Sequence, residues 1–255
     1  QSMITQPHGM ILITGPTGSG KTTTLYATLE KINSEKQKII TVEDPVEYQL
    51  DGITQIQANA SIGLSFAEGL RSIVRQDPDV LMVGEIRDHE TAEIAIESAL
   101  TGHLVFSTLH TNDAAGAVTR LQDMGVEGYL ISSSLLAIQA QRLVRRVCTD
   151  CAETLPITED ELAVLEIENG ECPQVVKGKG CERCGQTGYR GRIGLYELLV
   201  MSDAIRHHIA TGADANIIRE ESIREGMRTL REDALEKLKA GLTTPEEVVR
   251  VTRAL

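Results

Sequence analysis

The sequence predicts an α/β protein with a largely parallel sheet, and two observations lead to that prediction. Over residues 9–142, short apolar runs alternate with longer segments in which apolar residues recur at helical spacing. Such alternation is typical of parallel strands with helices on both faces of the sheet. In addition, polar and charged residues follow directly after the apolar runs, at the sheet edge where ligands bind in folds of this class.

Apolar spacing gives the order of the predicted elements. Strands are predicted at 10–14, 39–43, 80–84 and 104–109. Helices are predicted at about 21–33, 66–76, 89–101, 113–124 and 128–143. Gly102 and Gly125 stand where glycine commonly ends a helix. After Arg192 the chain is predicted to be largely helical, with a typical helix start at Thr244-Pro245.

Composition and charge narrow the range of functions. The 255-residue chain has a formal net charge of −12, 3% aromatic residues and no tryptophan, so no nucleic-acid partner is expected. It has no apolar run of the roughly 18 residues that span a membrane, and no signal peptide is expected. Its five cysteines do not resemble a secreted disulfide framework, and a cytoplasmic location is expected. Because the first strand follows almost at once and residue 1 is not methionine, we expect upstream domains to be missing.

A glycine-rich stretch follows the first predicted strand and leads into the first predicted helix. It matches the phosphate-loop pattern, in which glycines let backbone N–H groups surround a polyphosphate. In that pattern the lysine reaches the β- and γ-phosphates, and the threonine hydroxyl binds Mg²⁺. A chance glycine-rich turn is the alternative, but the flanking strand and helix favour a nucleotide site. The residues concerned are Gly15, Pro16, Thr17, Gly18, Ser19, Gly20, Lys21, Thr22 and Thr23.

Three further polar positions, Glu43, Glu85 and His110, come at the ends of the other predicted strands. One carboxylate can orient and deprotonate an attacking water, and a second can hold Mg²⁺ through its water shell. A histidine at this edge can hydrogen-bond a γ-phosphate. The alternatives are a turn cap before Pro45 for Glu43, and a structural role for His103, which precedes the last of these strands.

Four ordered motifs resemble those of a known family, namely GPTGSGKT, TVEDPVEY, RQDPDVLMVGEIRD and TGHLVFSTLHTNDA. They are similar to the Walker A, Asp box, Walker B and His box of secretion ATPases, the motors of type II secretion and type IV pili. The resemblance implies a RecA-like ATPase domain that forms a homo-hexamer on the cytoplasmic side of the inner membrane. It also implies that ATP turnover drives pilin or pseudopilin assembly. The implied partners are an inner-membrane platform protein and a cytoplasmic docking protein, so contact with the membrane is indirect.

The resemblance assigns roles by position in the motifs. Glu43 matches the catalytic carboxylate that activates water, and Glu85 matches the Walker B glutamate, which is expected to hold Mg²⁺ together with Thr22. His110 is expected to act with these glutamates, and His103 to contribute to nucleotide binding.

Two arginines match family positions near the nucleotide or the subunit interface. They are Arg71 and Arg75, which share a helix face because they are four residues apart. Surface ion pairing is their alternative role. Further arginines come from an upstream domain in this family, and an arginine finger is worth a factor of about 10³ or more in turnover. Weak ATPase activity is therefore expected for this chain alone.

Two C-x-x-C pairs predict a zinc site. They are Cys148 with Cys151 and Cys181 with Cys184, separated by residues 152–180. A redox role is the alternative for either pair, but two pairs favour one tetrahedral Zn²⁺ held in a closed, structural site. Cys172 is interpreted as a free thiol. Assembly and secretion motors of the family typically carry such a module and retraction motors lack it, so the resemblance implies an extension or secretion motor.

The motifs suggest three consecutive regions, with ATP, Mg²⁺ and Zn²⁺ as ligands. Residues 1–145 are expected to form the RecA-like ATPase core, 146–190 the zinc-binding module and 191–255 a C-terminal helical region. The leading hypothesis is an ATP-hydrolysing motor subunit. A DNA-translocating RecA-like ATPase and a nucleotide-gated docking module without significant hydrolysis are the alternatives, and the presence of both Glu43 and Glu85 favours hydrolysis.

Overall fold

A computed structural model describes residues 3–167 and 174–252. The chain divides into two compact units. The first comprises the chain up to Ala140 together with Leu198–Met227, and the second comprises Gln141–Glu197 together with the chain from Arg228 onward. This division differs from the three consecutive regions suggested by the motifs, because each unit is built from two separate stretches of sequence.

The main sheet has, within the described residues, seven strands in the order β3-β2-β4-β5-β1-β6-β9. Each neighbouring pair from β3 through to β6 is parallel. The strands are β1 (Gly9–Thr14), β2 (Ile39–Glu43), β3 (Thr54–Gln57), β4 (Val80–Val83), β5 (Leu104–Leu109), β6 (Leu135–Val147) and β9 (Tyr189–Val200), and β7 (Ala152–Pro156) pairs antiparallel with β8 (Gln174–Gly178). The predicted α/β class with a mainly parallel sheet is confirmed.

The helices mostly begin at side chains that cap them. Ser65, Asp88 and Asp113 each accept a backbone N–H of the first turn. Among the described residues, no helix combines the length and apolar character needed to cross a membrane. The helices are α1 (Lys21–Ile32), α2 (Phe66–Val74), α3 (His89–Leu100), α4 (Ala114–Asp123), α5 (Gly128–Ser134), α6 (Glu159–Leu165), α7 (Asp203–Ala210), α8 (Ala215–Arg224), α9 (Leu230–Lys239) and α10 (Pro245–Thr252).

Helices cover both faces of the sheet in the first unit. On one face, Leu25, Tyr26 and Leu29 of α1 pack against alternate strand residues, including Ile13 and Met82. On the other face, α2 approaches β2 so closely that a Cβ added at its Gly69 would lie 2.9 Å from a Val42 methyl group. Because successive strand residues point to opposite faces, the continuous apolar runs of these strands fill both layers.

Two predicted helical segments contain strands instead. The helix predicted at 128–143 ends at Ser134, and Leu135–Val147 forms β6, which pairs with β1. The tail predicted to be largely helical after Arg192 includes most of β9. The short β3 and the β7–β8 hairpin were not predicted. The helices predicted at the start of the chain and at Thr244-Pro245 are confirmed.

A buried carboxylate stabilises the second unit. The Glu247 side chain, 1% exposed, accepts hydrogen bonds from the Arg145 backbone N–H at 2.7 Å and from the Arg250 guanidinium at 2.7 and 2.8 Å. The Arg145 guanidinium adds an ion pair at 2.9 Å. Burial alone would raise the pKa of Glu247, but the donors from Arg250 and Arg145 outweigh it and lower this pKa to about 2.

Candidate functional site

Four neighbouring strands carry polar residues at their carboxyl ends. In the sheet, β2, β4, β5 and β1 are consecutive and parallel. Glu43 ends β2, Glu85 follows β4, His110 follows β5, and the glycine-rich loop 15–20 follows β1. Since neighbouring strands lie about 4.8 Å apart, the row from β2 to β1 spans about 14 Å. The sheet therefore collects residues from four parts of the sequence along one edge.

The glycine-rich loop connects the end of β1 to the start of α1. Gly18 and Gly20 have φ angles of 77° and 87°, a left-handed conformation that favours glycine. The Lys21 ammonium donates hydrogen bonds to the carbonyl oxygens of Gly15 at 2.8 Å and Pro16 at 3.2 Å. Burial lowers the pKa of Lys21, and the nearby negative charge of Glu85 partly opposes this shift. Lysine and carboxylate thus lie within electrostatic reach.

The first turn of α1 offers further polar groups to a ligand. Thr22 and Thr23 are exposed there, whereas Ser19 in the loop is buried. The first N–H groups of a helix and its dipole favour a bound anion. Loop, lysine and helix start are therefore arranged as a phosphate site requires.

Glu85 lies between a cation and a histidine. Its side chain is 12% exposed, and Oε1 lies 2.5 Å from the Arg87 guanidinium. Oε2 lies 3.3 Å from His110 Nε2 but, within the part of the chain that the structure describes, has no hydrogen-bond donor. A buried carboxylate oxygen without a donor is costly unless a ligand uses it. Glu85 and His110, 25 positions apart in the sequence, therefore form one candidate site.

Glu43 is held differently from Glu85. Glu43 as a whole is 3% exposed. Oε2 accepts a hydrogen bond from the Tyr26 hydroxyl, and Oε1 accepts bonds from Thr41 Oγ1 at 2.5 Å and Gln55 Nε2 at 3.1 Å. The carboxylate thus faces the interior beneath α1. Its predicted role in activating water stays a prediction.

A buried threonine links the glycine-rich loop to the His110 segment. Thr14, directly before the loop, accepts the Thr111 backbone N–H at 2.9 Å and shares a hydrogen bond with the Thr111 hydroxyl at 2.7 Å. Its own hydroxyl also lies 3.1 Å from the Leu109 carbonyl oxygen. Sequence reasoning did not identify this pair, because nothing in the local pattern distinguishes these threonines from others in the chain.

Three predicted binding residues lie elsewhere. His103 precedes β5, so it is at the opposite edge of the sheet, about 20 Å from the loop, and its ring contacts the Ser98 carbonyl oxygen at 2.9 Å. Arg71 is half exposed on α2 and pairs with Glu68 and Glu90. Arg75 is exposed at the end of α2. The structure of one chain does not bring these three side chains to the row of strand ends.

The four cysteines of the C-x-x-C pairs converge in the second unit, with Cys148 and Cys151 buried. Their sulfur atoms all lie within 4.8 Å of one another. The Cys181–Cys184 separation is 3.7 Å, and the Cys148–Cys181 and Cys151–Cys184 separations are 3.9 Å. Four thiolates about 2.3 Å from one tetrahedral Zn²⁺ would lie about 3.8 Å apart. The cluster therefore fits a zinc ion.

Backbone N–H groups stabilise the thiolate form of Cys184. The N–H groups of Cys181 and Gly188 point at Cys184 Sγ, at 3.2 and 3.3 Å. Burial raises the pKa of Cys151 to about 12, whereas for Cys184 these donors outweigh burial and lower the pKa to about 6. Cys172 lies outside the described residues.

These features define an α/β protein with a candidate ligand site at the carboxyl edge of a parallel sheet and a four-cysteine cluster compatible with a structural metal ion. The chain matches the model of a protein family described as Type II/IV secretion system protein over residues 1–250. It belongs to that family, as the four motifs predicted.

Individual relatives agree with this assignment. The chain is 55% identical over 251 residues to Type II secretion system protein E of Aeromonas hydrophila, covering 98% of this chain and 50% of the relative. It is 52% identical over 254 residues to the type IV pilus assembly ATPase PilB of Thermus thermophilus, covering 99% of this chain and 29% of that relative. The solved structure of the pilus retraction motor PilT with bound ADP aligns with a TM-score of 0.72 at 32% identity, covering 99% of this chain and 64% of that one. The chain thus spans about half the length of its secretion relative, and less of PilB.

Proposed function

We propose that this chain binds ATP at the glycine-rich loop and hydrolyses it with Mg²⁺. The observation that carries the proposal is the convergence of Lys21, Glu85 and His110 on the same sheet edge as the loop. Lys21, whose ammonium now bonds to loop carbonyl oxygens, is placed to turn to phosphate oxygens instead. The Thr14–Thr111 hydrogen bonds support a fixed distance between the loop and the His110 segment.

Two side chains fit a Mg²⁺ ion beside the phosphates. The Thr22 hydroxyl and the Glu85 carboxylate would hold it, directly or through water, and the donor-free Oε2 of Glu85 supports this assignment. When bound, the metal ion neutralises charge on the phosphate oxygens. Arg87, 67% exposed, pairs with the Glu85 carboxylate. Arg87 and His110 can donate hydrogen bonds to a phosphate.

The relatives support a proposal for the biological role. We assign the chain to a homo-hexameric motor that powers pilin or pseudopilin assembly, in type II secretion or in type IV pilus extension. Its proposed partners are an inner-membrane platform protein and a cytoplasmic docking protein, with contact to the membrane only through them. The similarity to a type II secretion protein E and to PilB supports both systems about equally. The closed four-cysteine cluster supports a structural Zn²⁺, since all four positions around the ion are taken by protein.

Steady-state ATP turnover of the full-length protein tests the proposal. Turnover should require Mg²⁺, and Glu85→Gln should lower it about 10³-fold, because the negative charge that would hold Mg²⁺ beside the reacting phosphates is lost. Glu93→Gln, an exposed glutamate on the neighbouring α3, is the matched control and should retain turnover. The 255-residue chain alone should turn over ATP more slowly than the full-length protein.

The same assay distinguishes the alternative functions. Stimulation by DNA would favour a DNA-translocating ATPase. ATP binding without turnover in the full-length protein would favour a nucleotide-gated docking module and contradict the proposal.

A further inference from the structure

Tyr26 is a buried polar residue that the proposed function does not use. It lies in α1, five positions after Lys21, and its side chain is fully buried. Its hydroxyl donates a hydrogen bond to Glu43 and accepts bonds from the Glu47 backbone N–H and from Gln55 Nε2, both at 3.3 Å. A single hydroxyl therefore connects the helix after the glycine-rich loop, the end of β2, and the segment that follows β2.

The bonding of Glu43 suggests that this carboxylate serves the same connection. A carboxylate offers about four acceptor positions, and Tyr26, Thr41 and Gln55 occupy three of them. A group that deprotonates water must reach that water within hydrogen-bond distance, whereas Glu43 is 3% exposed and lies in the core beneath α1. Its contacts are those of an anchor.

The anchored segment, residues 44–53, carries acidic side chains toward the candidate site. It contains Asp44 and Glu47, both exposed. Glu85 is the main cause of a raised pKa of Arg87, and the negative charge of Asp44 adds to it. Asp44 therefore lies within electrostatic reach of the Arg87–Glu85 pair. Two hydrogen bonds tie this acidic segment to α1 and its cap, one from the Glu47 N–H to Tyr26 and one from the Asn33 side chain to the Asp51 carbonyl oxygen, and the Tyr26 bond is the one nearer the glycine-rich loop in sequence.

We propose that the Tyr26 hydroxyl is a positioning group for ATP hydrolysis, and that Glu43 acts through it rather than on water. The inference rests on the proposed function of this site. Tyr26 holds residues 44–53 against α1, and α1 continues directly from the glycine-rich loop. A displacement of about 1 Å in a catalytic segment can cost a factor of 10² in rate, so a buried hydrogen bond that fixes two such segments controls turnover without touching the nucleotide.

Tyr26→Phe in the full-length protein is the direct test. It removes the hydroxyl and keeps the ring, which packs against Tyr48 with ring centres 4.7 Å apart. We expect kcat to fall at least about tenfold, and both KM and the affinity for a non-hydrolysable ATP analogue to stay within about threefold. Tyr129→Phe, which changes an exposed phenol on α5, is the matched control and should keep wild-type kcat.

Two further measurements separate positioning from simple destabilisation. Amide hydrogen exchange should accelerate at Glu47 in Tyr26→Phe, because that N–H loses its acceptor. Turnover should be expressed per nucleotide-binding site, so that a fraction of unfolded protein does not count as lost kcat. A double-mutant cycle with Glu43→Gln should show that the double variant is no slower than the slower single variant, within about threefold.

The outcomes are distinct. A kcat within twofold of wild type for Tyr26→Phe, or unchanged exchange at Glu47, overturns the inference alone. Losses that multiply in the double variant would show that Glu43 acts independently, which contradicts the second part of the proposal. Absence of turnover in the wild-type full-length protein would overturn the proposed function, and this inference with it.

Discussion

The candidate site formed by the glycine-rich loop, Lys21, Glu85 and His110, here called the strand-end site, differs from the four-cysteine cluster in how its polar atoms are paired. At the strand ends, Glu85 keeps a buried carboxylate oxygen that has no hydrogen-bond donor among residues 3–167 and 174–252, and Lys21 bonds to loop carbonyl oxygens. In the cluster, four sulfur atoms lie within 4.8 Å of one another and backbone N–H groups point at one of them. The first arrangement leaves an acceptor that a bound ligand would satisfy, whereas the four sulfur atoms of the second would fill all the coordination positions of a single zinc ion.

The two sites also differ in how the chain builds them. Residues of the strand-end site come from positions 15 to 110 and meet only because parallel strands end at one edge. Each cysteine pair is local, and the two pairs are joined by residues 152–180, which include β7, α6 and β8. Each site should therefore be removable by mutation without loss of the other.

Removal of the metal ligands should have the largest effect. Cys181→Ser combined with Cys184→Ser should reduce bound zinc from about one ion per chain to near zero, because two of the four thiolates that would hold the ion are removed. Elemental analysis checks this. Affinity for an ATP analogue should stay within about threefold, although secretion or piliation should be lost.

Two results would contradict that prediction. Parallel loss of zinc and nucleotide affinity would show that the sites are not independent. Cys172→Ser, expected to keep its zinc, is the control, and zinc loss in that variant would contradict the interpretation of Cys172 as a free thiol.

Lys21→Ala should have the second largest effect, confined to the strand-end site. We expect ATP turnover of the full-length protein to fall about 10³-fold, because the ammonium that we propose binds the phosphates is removed. Lys31→Ala, an exposed lysine in the last turn of the same helix, should retain turnover. Zinc content should be unchanged in both variants, and loss of zinc in Lys21→Ala would show that the two sites are not independent.

Acid should weaken the second unit through Glu247. Its pKa is about 2 in the folded protein against 4.5 for the free group, so its contribution is complete above about pH 4.5 and is lost as the pH falls toward 2. The shift corresponds to about 3 kcal/mol at most, and we expect about 2 kcal/mol because both arginines are half exposed.

Denaturant unfolding between pH 6 and pH 3 measures this contribution. Wild-type stability should fall more steeply with acid than that of Glu247→Gln, which lacks the titrating group. Glu159→Gln, an exposed residue of α6, should follow the wild type. Identical slopes for wild type and Glu247→Gln would contradict the assignment.

Arg71→Ala should have the smallest effect on stability. Arg71 is 39% exposed and pairs with Glu68 and Glu90 on the surface, and such pairs contribute less than about 1 kcal/mol. The free energy of unfolding checks this value. If turnover of the full-length protein nevertheless falls tenfold or more, the predicted role of Arg71 near the nucleotide or the subunit interface is supported.

Sequence patterns predicted the first unit well up to Ser134 and failed where tertiary pairing outweighed local preference. Residues 135–147 are rich in leucine, alanine, glutamine and arginine, which favour helices, but they pair with β1 as a strand. In β9 the alternation of apolar and polar residues expected of a strand is obscured, because the charged residue Glu197 is buried. Its side chain accepts a hydrogen bond from the Leu230 N–H at 3.2 Å. A buried glutamate at an inward position hides the period of two on which a strand prediction depends.

The candidate site was predictable in part for a related reason. Lys21, Glu85 and His110 follow apolar runs, and that placement alone indicates a shared edge. No such sequence signal identifies Tyr26, because a tyrosine in the apolar stripe of a helix has the pattern of an ordinary core residue.

By itself, the sequence determined which residues can carry chemistry here: the glycine-rich loop, the polar residues after apolar strands and the two cysteine pairs are local patterns whose physical meaning does not depend on distant partners. Only the tertiary structure decided how these groups are used. It placed His103 at the far edge of the sheet, enclosed Glu43 among hydrogen-bond donors, and left an oxygen of Glu85 without a donor in the described part of the chain. Hydrogen bonding and burial depend on residues far apart in the chain, so no local pattern could reveal them.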